Sequence, residues 1–374
     1  MTRLVMHLAQ DSDTSGFFPQ LATWHSRQSF KMVFGTLGPM DARLRAHMER
    51  EGVACVDLEC SSRASYPRGL VQLALFLRRA RIDILHTHLF DPSVIGLAAA
   101  CLARTPVRVV TRHYSDYHTR IARPLHVWLD RLCTRMSHRV IAVSEHTADH
   151  LIGVEGAPAA KVNVIHNGID FDRVRVSSAD APARIRTEFG LVGRHVVLMA
   201  ARMHPEKGYE HLLASLLRVR ARVPDVVLLI AGTGPLEARY RALAASTSLG
   251  SSVRFLGFRR DLPDLMAASD LVVLPSLTEA FGLVAAEALY LGVPVVASRV
   301  GGIPEIVDHE TDGLLLPPGD EQALAQALAD LLLDADRRLR LAGAGREKVA
   351  SRFSFLQMVR AYERLYDELN GRAT

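Results

Sequence analysis

Short apolar runs rich in β-branched residues alternate with helical patterns along most of the 374-residue chain. Each run is apolar on both faces, which is typical of strands in a parallel sheet covered by helices on both sides. The alternation therefore predicts an α/β protein built from doubly wound parallel sheets. The predicted strands span residues 4–9, 30–37, 83–89, 107–113, 139–144 and 161–167 in the first half, and 195–201, 225–232, 253–258, 270–276 and 294–300 in the second.

The alternation occurs twice, on either side of a polar stretch without a strand pattern. Residues 173–194 are rich in charged and small residues, and we predict an interdomain linker there. The chain is also too long for one ordinary core, so two domains are expected. We predict two Rossmann-like domains, over residues 1–172 and 195–350, that face a cleft and hold ligands at the carboxyl ends of their strands. The alternative is a single large α/β domain with an insertion.

The last segment, residues 351–374, has apolar residues at spacings of three and four, which predicts a helix. We expect this helix to pack back onto the first domain. The contacts of Tyr362 and Leu365 test that expectation.

Composition excludes several classes of protein. A hydrophobic content of 49% and a charged content of 23% describe a soluble globular protein. No apolar run reaches the roughly 18–20 residues of a membrane span, and the first residues lack a secretory apolar region, so we expect a cytoplasmic location. The four cysteines have neither C-x-x-C nor zinc spacing. The net charge of +5 suits a phosphate-bearing ligand or an anionic membrane, and no basic block with interleaved aromatics points to nucleic acid.

Residues 119–139 combine an apolar stripe with surrounding arginines. The stripe consists of Ile121, Leu125, Trp128, Leu132 and Met136, and the arginines are Arg120, Arg123, Arg131, Arg135 and Arg139. We expect an amphipathic helix that packs this stripe into the core. The alternative is a helix that lies on an anionic membrane at its inner face, beside a lipid-linked acceptor.

Two cations follow the first predicted strand of the second half. Arg202 and Lys207 lie in a loop, and Gly208 comes close to the start of a helix. A guanidinium binds two phosphate oxygens at once, an ammonium acts as a point charge, and a helix N-terminus adds to both, which favours a diphosphate site. The alternative is a solvated loop whose cations pair with Glu206 and Glu210.

Glycines follow two other strands of the second half. Gly232 and Gly234 lack the rest of a dinucleotide fingerprint, so no nicotinamide site is predicted. Gly301 and Gly302 are predicted to be mainly structural, with close approach of phosphate as the alternative.

Glu279 and Glu287 stand at the two ends of the stretch EAFGLVAAE. We expect Thr278 to cap a helix that starts near Phe281, with Glu279 at the mouth of a site and Glu287 two turns deeper. Carboxylates only accept hydrogen bonds, so they suit hydroxyl-rich ligands such as sugars and ribose. Free amides near Gly282 would point at the same ligand. The alternative is a first-turn dipole partner and a solvated helix face.

In the first half, His113 follows the predicted strand 107–113. A lone histidine is usually structural, but this one lies where ligands bind such sheets. The segments HTH at residues 86–88 and SEHT at residues 144–147 follow strands in the same way.

These segments, taken in order, resemble the retaining glycosyltransferases of family 4, which have the GT-B fold. The resemblance covers nearly the whole chain, and its most specific part is R-x4-K at residues 202–207 followed by E-x7-E at residues 279–287. Supporting segments are HTH, SEHT, HNGID, AGTGP, FLG and GGIPEIV. The resemblance implies transfer of a hexose-type sugar from a nucleotide-diphosphate sugar to a hydroxyl acceptor, as in polysaccharide biosynthesis.

The resemblance also implies roles for particular residues. The donor-binding residues would be Gly16, Arg202, Lys207, Gly257, Phe258, Glu279, Phe281, Gly282, Leu283 and Glu287, and the catalytic ones His113, Arg202, Lys207 and Glu279. Arg202 and Lys207 would stabilise the diphosphate as leaving group, and Glu287 would bind the ribose. Glu279 would hold the donor sugar, with His113 near the reacting carbon. Backbone near residues 257–258 would meet the base.

Cations at the phosphate can lower the barrier without a metal. No paired aspartates suggest a divalent ion, so we predict neither metal nor cofactor, and the nucleotide sugar is a co-substrate. Many relatives carry two glycines after the first strand, whereas this chain has only Gly16 in AQDSDTSGFF. Asp11 and Asp13 of that loop either contact acceptor hydroxyls or are solvated.

Two other functions remain as alternatives. A sugar-nucleotide epimerase shares the fold, although the combination of R-x4-K with E-x7-E argues against it. A non-catalytic sugar-nucleotide binder would bind donor without turnover. The base, the sugar and the acceptor stay open: glycan, lipid carrier and small metabolite are all compatible with the sequence.

Overall fold

The computed structural model describes residues 2–10, 16–60, 62–114 and 123–371. The chain separates into two compact units. The first contains the chain up to Gly168 and the C-terminal segment from Phe355, and the second is Ile169–Ser354. Asp11, Asp13 and the stretch 115–122, with Arg120 and Ile121, lie outside the described residues.

The first unit is built on a seven-stranded parallel sheet with the order β3-β2-β1-β4-β5-β6-β7. Its strands are β1 (Arg3–Ala9), β2 (Phe30–Thr36), β3 (Ala54–Asp57), β4 (Ile84–His88), β5 (Val107–Arg112), β6 (Arg139–Ala142) and β7 (Val162–Val164). Its helices are α1 (Phe17–Trp24), α2 (Ala42–Arg50), α3 (Tyr66–Arg79), α4 (Phe90–Ala103), α5 (Pro124–Met136) and α6 (Glu145–Gly153).

The predicted strands of the first half are all present, and β3 is an addition that the sequence pattern did not reveal. β3 pairs with β2 at the edge of the sheet, and none of its residues is buried. An edge strand that is only half covered needs no continuous apolar run, so Ala54–Asp57 lacks the pattern that identified the buried strands.

The predicted C-terminal helix is present, and it groups with the first unit, onto which we expected it to pack. The last helix of the second unit, α14, spans Ala335–Arg352. The C-terminal helix of the first unit, α15, follows it in the chain and spans Phe355–Gly371. Tyr362 and Leu365 on this last helix are buried in one cluster with Val5 of β1 and Phe30 of β2. The apolar stripe of α15 therefore covers the sheet of the first unit, where burial of large side chains stabilises by about 1.5–3 kcal/mol each.

The expectation that the stripe of α5 packs into the core is wrong for two of its members. Leu125 is 63% exposed and Trp128 is 55% exposed. The helix instead buries Asp130, whose carboxylate pairs with the equally buried Arg112 at the end of β5. A buried charge requires its partner, so this ion pair fixes which side of the helix faces the sheet.

The second unit contains a six-stranded parallel sheet with the order β10-β9-β8-β11-β12-β13. Its strands are β8 (His195–Ala200), β9 (Val226–Ala231), β10 (Val253–Gly257), β11 (Leu271–Leu274), β12 (Val295–Ser298) and β13 (Gly313–Leu316). Besides α14, its helices are α7 (Ala181–Glu188), α8 (Tyr209–Arg222), α9 (Glu237–Ser246), α10 (Leu262–Ala267), α11 (Leu283–Tyr290), α12 (Ile303–Ile306) and α13 (Glu321–Leu333).

The stretch that was predicted as a linker, residues 173–194, groups with the second unit. It contains α7, which packs against α10 and buries Ala181 and Ile185. Ser177 adds a backbone hydrogen bond of 2.7 Å to the carboxylate of Asp264. Within the described part of the chain, no helix is both long and apolar enough to cross a membrane.

Candidate functional site

Arg202 and Lys207 follow the carboxyl end of β8, as the sequence predicted. Pro205–Lys207 forms one short 3₁₀ turn, and Gly208 links it to α8 with φ +71°. A Cβ at Gly208 would lie 1.9 Å from the carbonyl oxygen of Pro275, so only glycine fits. This close contact packs the loop after β8 against the chain that follows β11.

Lys207 and Glu279 meet at this contact. The Nζ of Lys207 donates a hydrogen bond of 2.6 Å to Oε2 of Glu279. Their side chains are only 17% and 19% exposed. Ser276 donates a weaker bond of 3.4 Å to the same oxygen. Water screens such a partly buried pair less than a surface pair, so the pair holds the ammonium in a defined position beside the N-terminus of α8.

Glycines hold Glu279 from the other side. The N–H of Gly302 donates a hydrogen bond of 3.2 Å to the carbonyl of Glu279. Gly301 has φ +55°, and a Cβ there would lie 1.5 Å from the same carbonyl oxygen. The glycine pair after β12 therefore supports the loop of Glu279, which agrees with the structural interpretation of its sequence.

The helix after β11 begins later than the sequence predicted. α11 starts at Leu283, and its N-cap is Gly282 with φ +106°, so the expectation that Thr278 caps a helix near Phe281 is wrong. The left-handed glycine turns the chain into the helix without a side-chain cap. Phe281 is buried, and its ring packs edge to face on Phe353 at 5.5 Å. The amide of Ala285 donates to the carbonyl of Gly282 at 3.0 Å, whereas those of Gly282 and Leu283 lie at the helix N-terminus, where N–H groups lack intrahelical acceptors.

Glu287 lies one turn into α11 rather than two, because the helix starts at Leu283. Its side chain is half-buried, and removal from water raises the pKa of its carboxyl to about 7, an effect that Arg173 partly opposes. Burial disfavours the charged form of an acid, so this carboxyl takes up a proton near neutral pH.

Arg202 differs from Lys207 in its surroundings. It is exposed, and it makes no ion pair with any residue that the structure describes. The loop beside it is held by backbone contacts: the N–H of Met203 donates to the carbonyl of Thr233 at 2.9 Å. A Cβ at Gly234 would lie 2.6 Å from the backbone of Met203. The glycines of AGTGP therefore serve close packing of two loops.

Gly257 ends β10, and its carbonyl accepts a hydrogen bond of 2.7 Å from Gly232. Phe258 follows and is 62% exposed. An exposed aromatic ring beside a strand end offers a flat surface against which a planar group can stack.

In the first unit, His113 follows β5 and meets the end of β4. Its Nε2 lies 3.0 Å from Nδ1 of His88, and the two rings stack at 5.3 Å. Phe17, at the start of α1, contacts both rings edge to face, at 5.6 and 5.7 Å. Gly16 immediately precedes it with φ +75°. The predicted residues Gly16 and His113 therefore lie at one edge of this sheet.

Three histidines of this unit lie close enough together to be considered as ligands of one metal ion. The ligand nitrogens of His7, His86 and His88 lie within 4.8 Å of one another, and all three side chains are buried. Both nitrogens of His86 are already hydrogen bonded, at 2.5 Å to Tyr366 and 2.6 Å to Thr111. The ring of His88 stacks on those of His7 and His86 rather than converging with them on one point, which does not suit tetrahedral coordination.

Comparison with known proteins follows the division into two units. A family model described as Glycosyl transferases group 1 matches residues 184–348, and one described as Glycosyltransferase Family 4 matches residues 19–173. The 2-deoxystreptamine glucosyltransferase of Streptomyces kanamyceticus is 31% identical over 299 residues, which cover 76% of this chain and 77% of that protein.

The chain belongs to the family 4 glycosyltransferases.

Other similar proteins match it over different lengths. A GDP-mannose-dependent α-(1-6)-phosphatidylinositol monomannoside mannosyltransferase of Mycobacterium tuberculosis is 34% identical over 223 residues. That match covers 57% of this chain and 57% of the mycobacterial protein, so the chain spans little more than half the length of that relative. The crystal structure of Anabaena Alr3699/HepE in complex with UDP and glucose superposes with a TM-score of 0.86 at 23% identity, covering 98% of this chain and 100% of that one. The GT-B fold that the resemblance implied is confirmed.

The family 4 models contain most of the predicted site. Arg202, Lys207, Glu279 and Glu287 lie within the group 1 match, and His113 lies within the other. The named relatives are glycosyltransferases, which does not favour the epimerase alternative.

Sequence reasoning missed two groups of buried polar residues in this family 4 protein. His7 lies inside the apolar strand β1 and hydrogen bonds to His88 at 2.9 Å. Arg112 ends β5, where Tyr114 donates a 2.6 Å bond to its partner Asp130. A histidine or arginine within an otherwise apolar strand was the signal that would have identified both.

Proposed function

We propose that this chain is a retaining, metal-independent glycosyltransferase that moves a hexose-type sugar from a nucleotide-diphosphate sugar to a hydroxyl acceptor. The observation that carries the proposal is the set of charges at one edge of the second sheet. An exposed Arg202, which makes no ion pair with the described residues, stands in the same loop as Lys207, which is held by Glu279. Membership of family 4 and the names of the relatives support the same reaction class.

The chemistry requires positive charge where the sugar leaves phosphate. Breaking that bond develops positive charge at the sugar carbon and negative charge on the diphosphate. Arg202 can bind two phosphate oxygens, and Lys207 can approach a third, so together they stabilise the leaving group. These two cations supply the role that a divalent ion has in other transferases, which is why we propose no metal.

The remaining donor contacts follow from which groups accept and which donate. Glu279 and the amides at Gly282 and Leu283 are proposed to hold sugar hydroxyls, since carboxylates accept and amides donate. Glu287 is proposed to accept the ribose hydroxyls. Phe258, with its exposed ring, is proposed to lie near the base. One similar protein is named GDP-mannose-dependent and one similar structure is a complex with UDP-glucose, so the base is left open.

Release of nucleoside diphosphate tests the proposal. We would incubate the protein with UDP-, GDP- and ADP-sugars, with and without mixed hydroxyl acceptors, in the presence of a chelator. Release from one donor that persists with the chelator and disappears in Arg202→Ala is expected. Conversion of a donor to its epimer without an acceptor would instead identify an epimerase, and tight donor binding without turnover of any acceptor would identify a binder.

We also propose that the first unit contacts an anionic membrane through its α3–α4–α5 layer. α3 packs on α4, which packs on α5. The exposed apolar residues of the layer are Val71, Leu75, Leu102, Leu125 and Trp128, and the exposed arginines are Arg68, Arg78, Arg79, Arg104, Arg123, Arg131 and Arg135. The carboxylates of these helices are Asp91, which is half-buried, and Asp130, which is buried.

Such a face has the composition of a surface that binds anionic lipid. Apolar side chains enter the headgroup region, tryptophan favours that interface, and arginines bind lipid phosphates. A peripheral position at the inner face of a membrane would bring a lipid-linked acceptor within reach.

Sedimentation with anionic phospholipid vesicles tests this contact. We expect binding at low salt that decreases as salt screens the arginines. Trp128→Glu should weaken it, whereas Leu339→Glu, at a residue that is 71% exposed on α14 of the second unit, should not. No sedimentation of the unmodified protein at low salt would exclude the membrane contact.

A further inference from the structure

Three histidines of the first unit form a continuous hydrogen-bonded chain. Nε2 of His113 lies 3.0 Å from Nδ1 of His88. Nε2 of His88 in turn lies 2.9 Å from Nδ1 of His7. The rings of neighbouring members stack, with centroids 5.3 Å and 5.2 Å apart. The chain runs from the strand end after β5, across the end of β4, into the middle of β1.

All three rings are neutral at physiological pH. Burial lowers the pKa of His7 to about 3 and that of His113 to about 4. Burial and the neighbouring imidazoles hold the pKa of His88 well below its usual value. A neutral imidazole carries one N–H and one lone pair. Each N···N contact can hold only one proton, so the tautomers of the three rings are coupled.

Only two ordered arrangements satisfy both contacts. In one, every ring carries its proton on Nε2, so Nδ1 of His113 presents a lone pair. In the other, every ring carries its proton on Nδ1, so His113 presents a donor. Nδ1 of His113 has no hydrogen-bond partner among the described residues, so none of those residues selects between the two arrangements at this end.

The opposite end of the histidine chain, at His7, favours one of the two proton arrangements. His7 lines a small cavity of about 20 Å³, large enough for one water molecule, together with His25 and Glu363. The carboxylate of Glu363 can only accept hydrogen bonds. His25 donates from Nδ1 to the carbonyl of Ala22 at 2.7 Å, which leaves its Nε2 as an acceptor when the ring is uncharged. The carboxylate of Glu363 and Nε2 of His25 therefore favour a proton on Nε2 of His7, whereas the hydroxyls of Tyr362 and Tyr366, which also line the cavity, can donate as well as accept.

We propose that His7 and His88 are positioning residues that keep His113 in its Nε2–H tautomer, so that Nδ1 of His113 accepts a hydrogen bond from a substrate hydroxyl. The identity of that hydroxyl rests on the proposed transferase function, whereas the coupling of the tautomers does not. The proton order is set at the cavity and transmitted through His88. His7 therefore acts on His113 without touching it.

The same cluster contains a matched control. His86 is fully buried and stacks on His88 at 4.2 Å, closer than His7 does. Its ring nitrogens, however, are hydrogen bonded to Tyr366 and Thr111, so His86 is not a member of the histidine chain. Replacing His86 removes a buried ring beside His88 and the hydrogen-bond partner of Tyr366 and Thr111, but it leaves both N···N contacts intact.

Nitrogen-15 NMR of the histidine rings in the unmodified protein is the first test. We expect the Nε2–H tautomer in His7, His88 and His113 together. This measurement requires no variant and no substrate, so it stands even if no donor is ever turned over. A mixture, such as Nε2–H in His7 with Nδ1–H in His113, would overturn the proposal.

Variants test the transmission. In His7→Leu, Nε2–H of His88 loses its acceptor, and we expect His113 to shift toward Nδ1–H. His7→Gln, whose amide oxygen still accepts, should restore the original tautomer, and His86→Leu should leave it unchanged. A shift in His86→Leu as large as in His7→Leu would mean that packing alone controls His113 and would overturn the proposal.

Kinetics provide a separate measure once a donor is known. We expect His7→Leu to lower kcat/KM by about tenfold, the size of one neutral hydrogen bond, and His7→Gln to recover most of it. Equal losses in the two variants would contradict a role through the tautomer. Absence of turnover in every form, with the predicted NMR result, would contradict the transferase function and leave the coupled chain intact.

Discussion

The two sheets end in different chemistry although their architecture is the same. The strand ends of the second unit carry charged groups, Lys207 paired with Glu279 and an exposed Arg202 beside them. The strand ends of the first unit carry neutral imidazoles, His88 and His113. Cations suit a leaving diphosphate, and neutral rings suit hydroxyls. A doubly wound sheet therefore provides the place for a ligand, and the side chains decide which part of the substrate it binds.

The ion pair at the end of β5 in the first unit is buried, whereas the ion pair of the second unit is partly exposed. Arg112 and Asp130 are each 1% exposed, whereas Lys207 and Glu279 are 17% and 19% exposed. The buried pair orients α5 and supports the strand that ends before His113. The half-buried pair can exchange partners when a ligand arrives. Burial thus separates a structural ion pair from one that we propose to be available for binding.

The largest expected effect is on stability, from breaking the buried pair. Asp130→Ala leaves the guanidinium of Arg112 with one carboxylate among the described residues, that of Glu155 at 3.5 Å, besides its hydrogen bonds to neutral groups. We expect a loss of about 3–5 kcal/mol in the free energy of unfolding, measured by denaturant titration. Asp172→Ala breaks an ion pair that is 65–70% exposed and should cost less than about 1 kcal/mol. Equal costs would show that burial does not distinguish the pairs.

The next effect concerns turnover. Arg202→Ala should lower kcat by about 100- to 1000-fold without loss of stability, because it removes one preorganised charge at the leaving group. Arg202→Lys keeps the charge but loses the bidentate geometry, so we expect partial recovery. The control is Arg218→Ala. Arg218 is also exposed but lies on α8, away from the loop of Arg202, so this variant should retain full activity. A normal rate in Arg202→Ala would remove the cation from the mechanism.

A smaller effect is expected at Gly301. Alanine there combines a left-handed backbone, φ +55°, with a Cβ that would clash with the carbonyl of Glu279. We expect a loss of about 2–3 kcal/mol in stability together with weaker donor binding. Gly292→Ala has φ +76° but open space around the Cβ, so it isolates the backbone cost of about 1–2 kcal/mol. If both variants bind donor normally, the loop of Glu279 does not depend on the glycine contact.

The second unit was the more predictable of the two. Its strands are apolar on both faces, which makes them easy to identify. Arg202, Lys207 and Glu279 follow these strands in loops, where ligand-binding residues of such sheets are expected. The start of α11 was placed too early because Thr278 resembles a cap, whereas the chain turns into the helix at Gly282. A left-handed glycine can begin a helix in place of a capping side chain, and sequence alone does not show which of the two a helix uses.

The first unit was less predictable because its polar groups are buried and contact residues that are distant in sequence. The orientation of α5 follows from the ion pair between Arg112 and Asp130, and residues 18 positions apart give no local pattern. His7 reads as one polar residue in an apolar strand until β4 brings His88 beside it. Contacts between strands that are distant in sequence decided both features.

The smallest expected effect is the pH dependence of donor binding at Glu287. Burial raises the pKa of this carboxyl to about 7. The deprotonated form accepts ribose hydroxyls best, so nucleoside diphosphate affinity should increase as pH rises from 6 to 8, by at most about tenfold. Glu287→Gln cannot ionise, so it should bind more weakly and keep only the pH dependence that comes from ionisation of the terminal phosphate. Calorimetric titration of both forms gives the comparison, and an affinity that falls with rising pH in the unmodified protein, but not in the variant, would reverse the proposed role of the carboxylate.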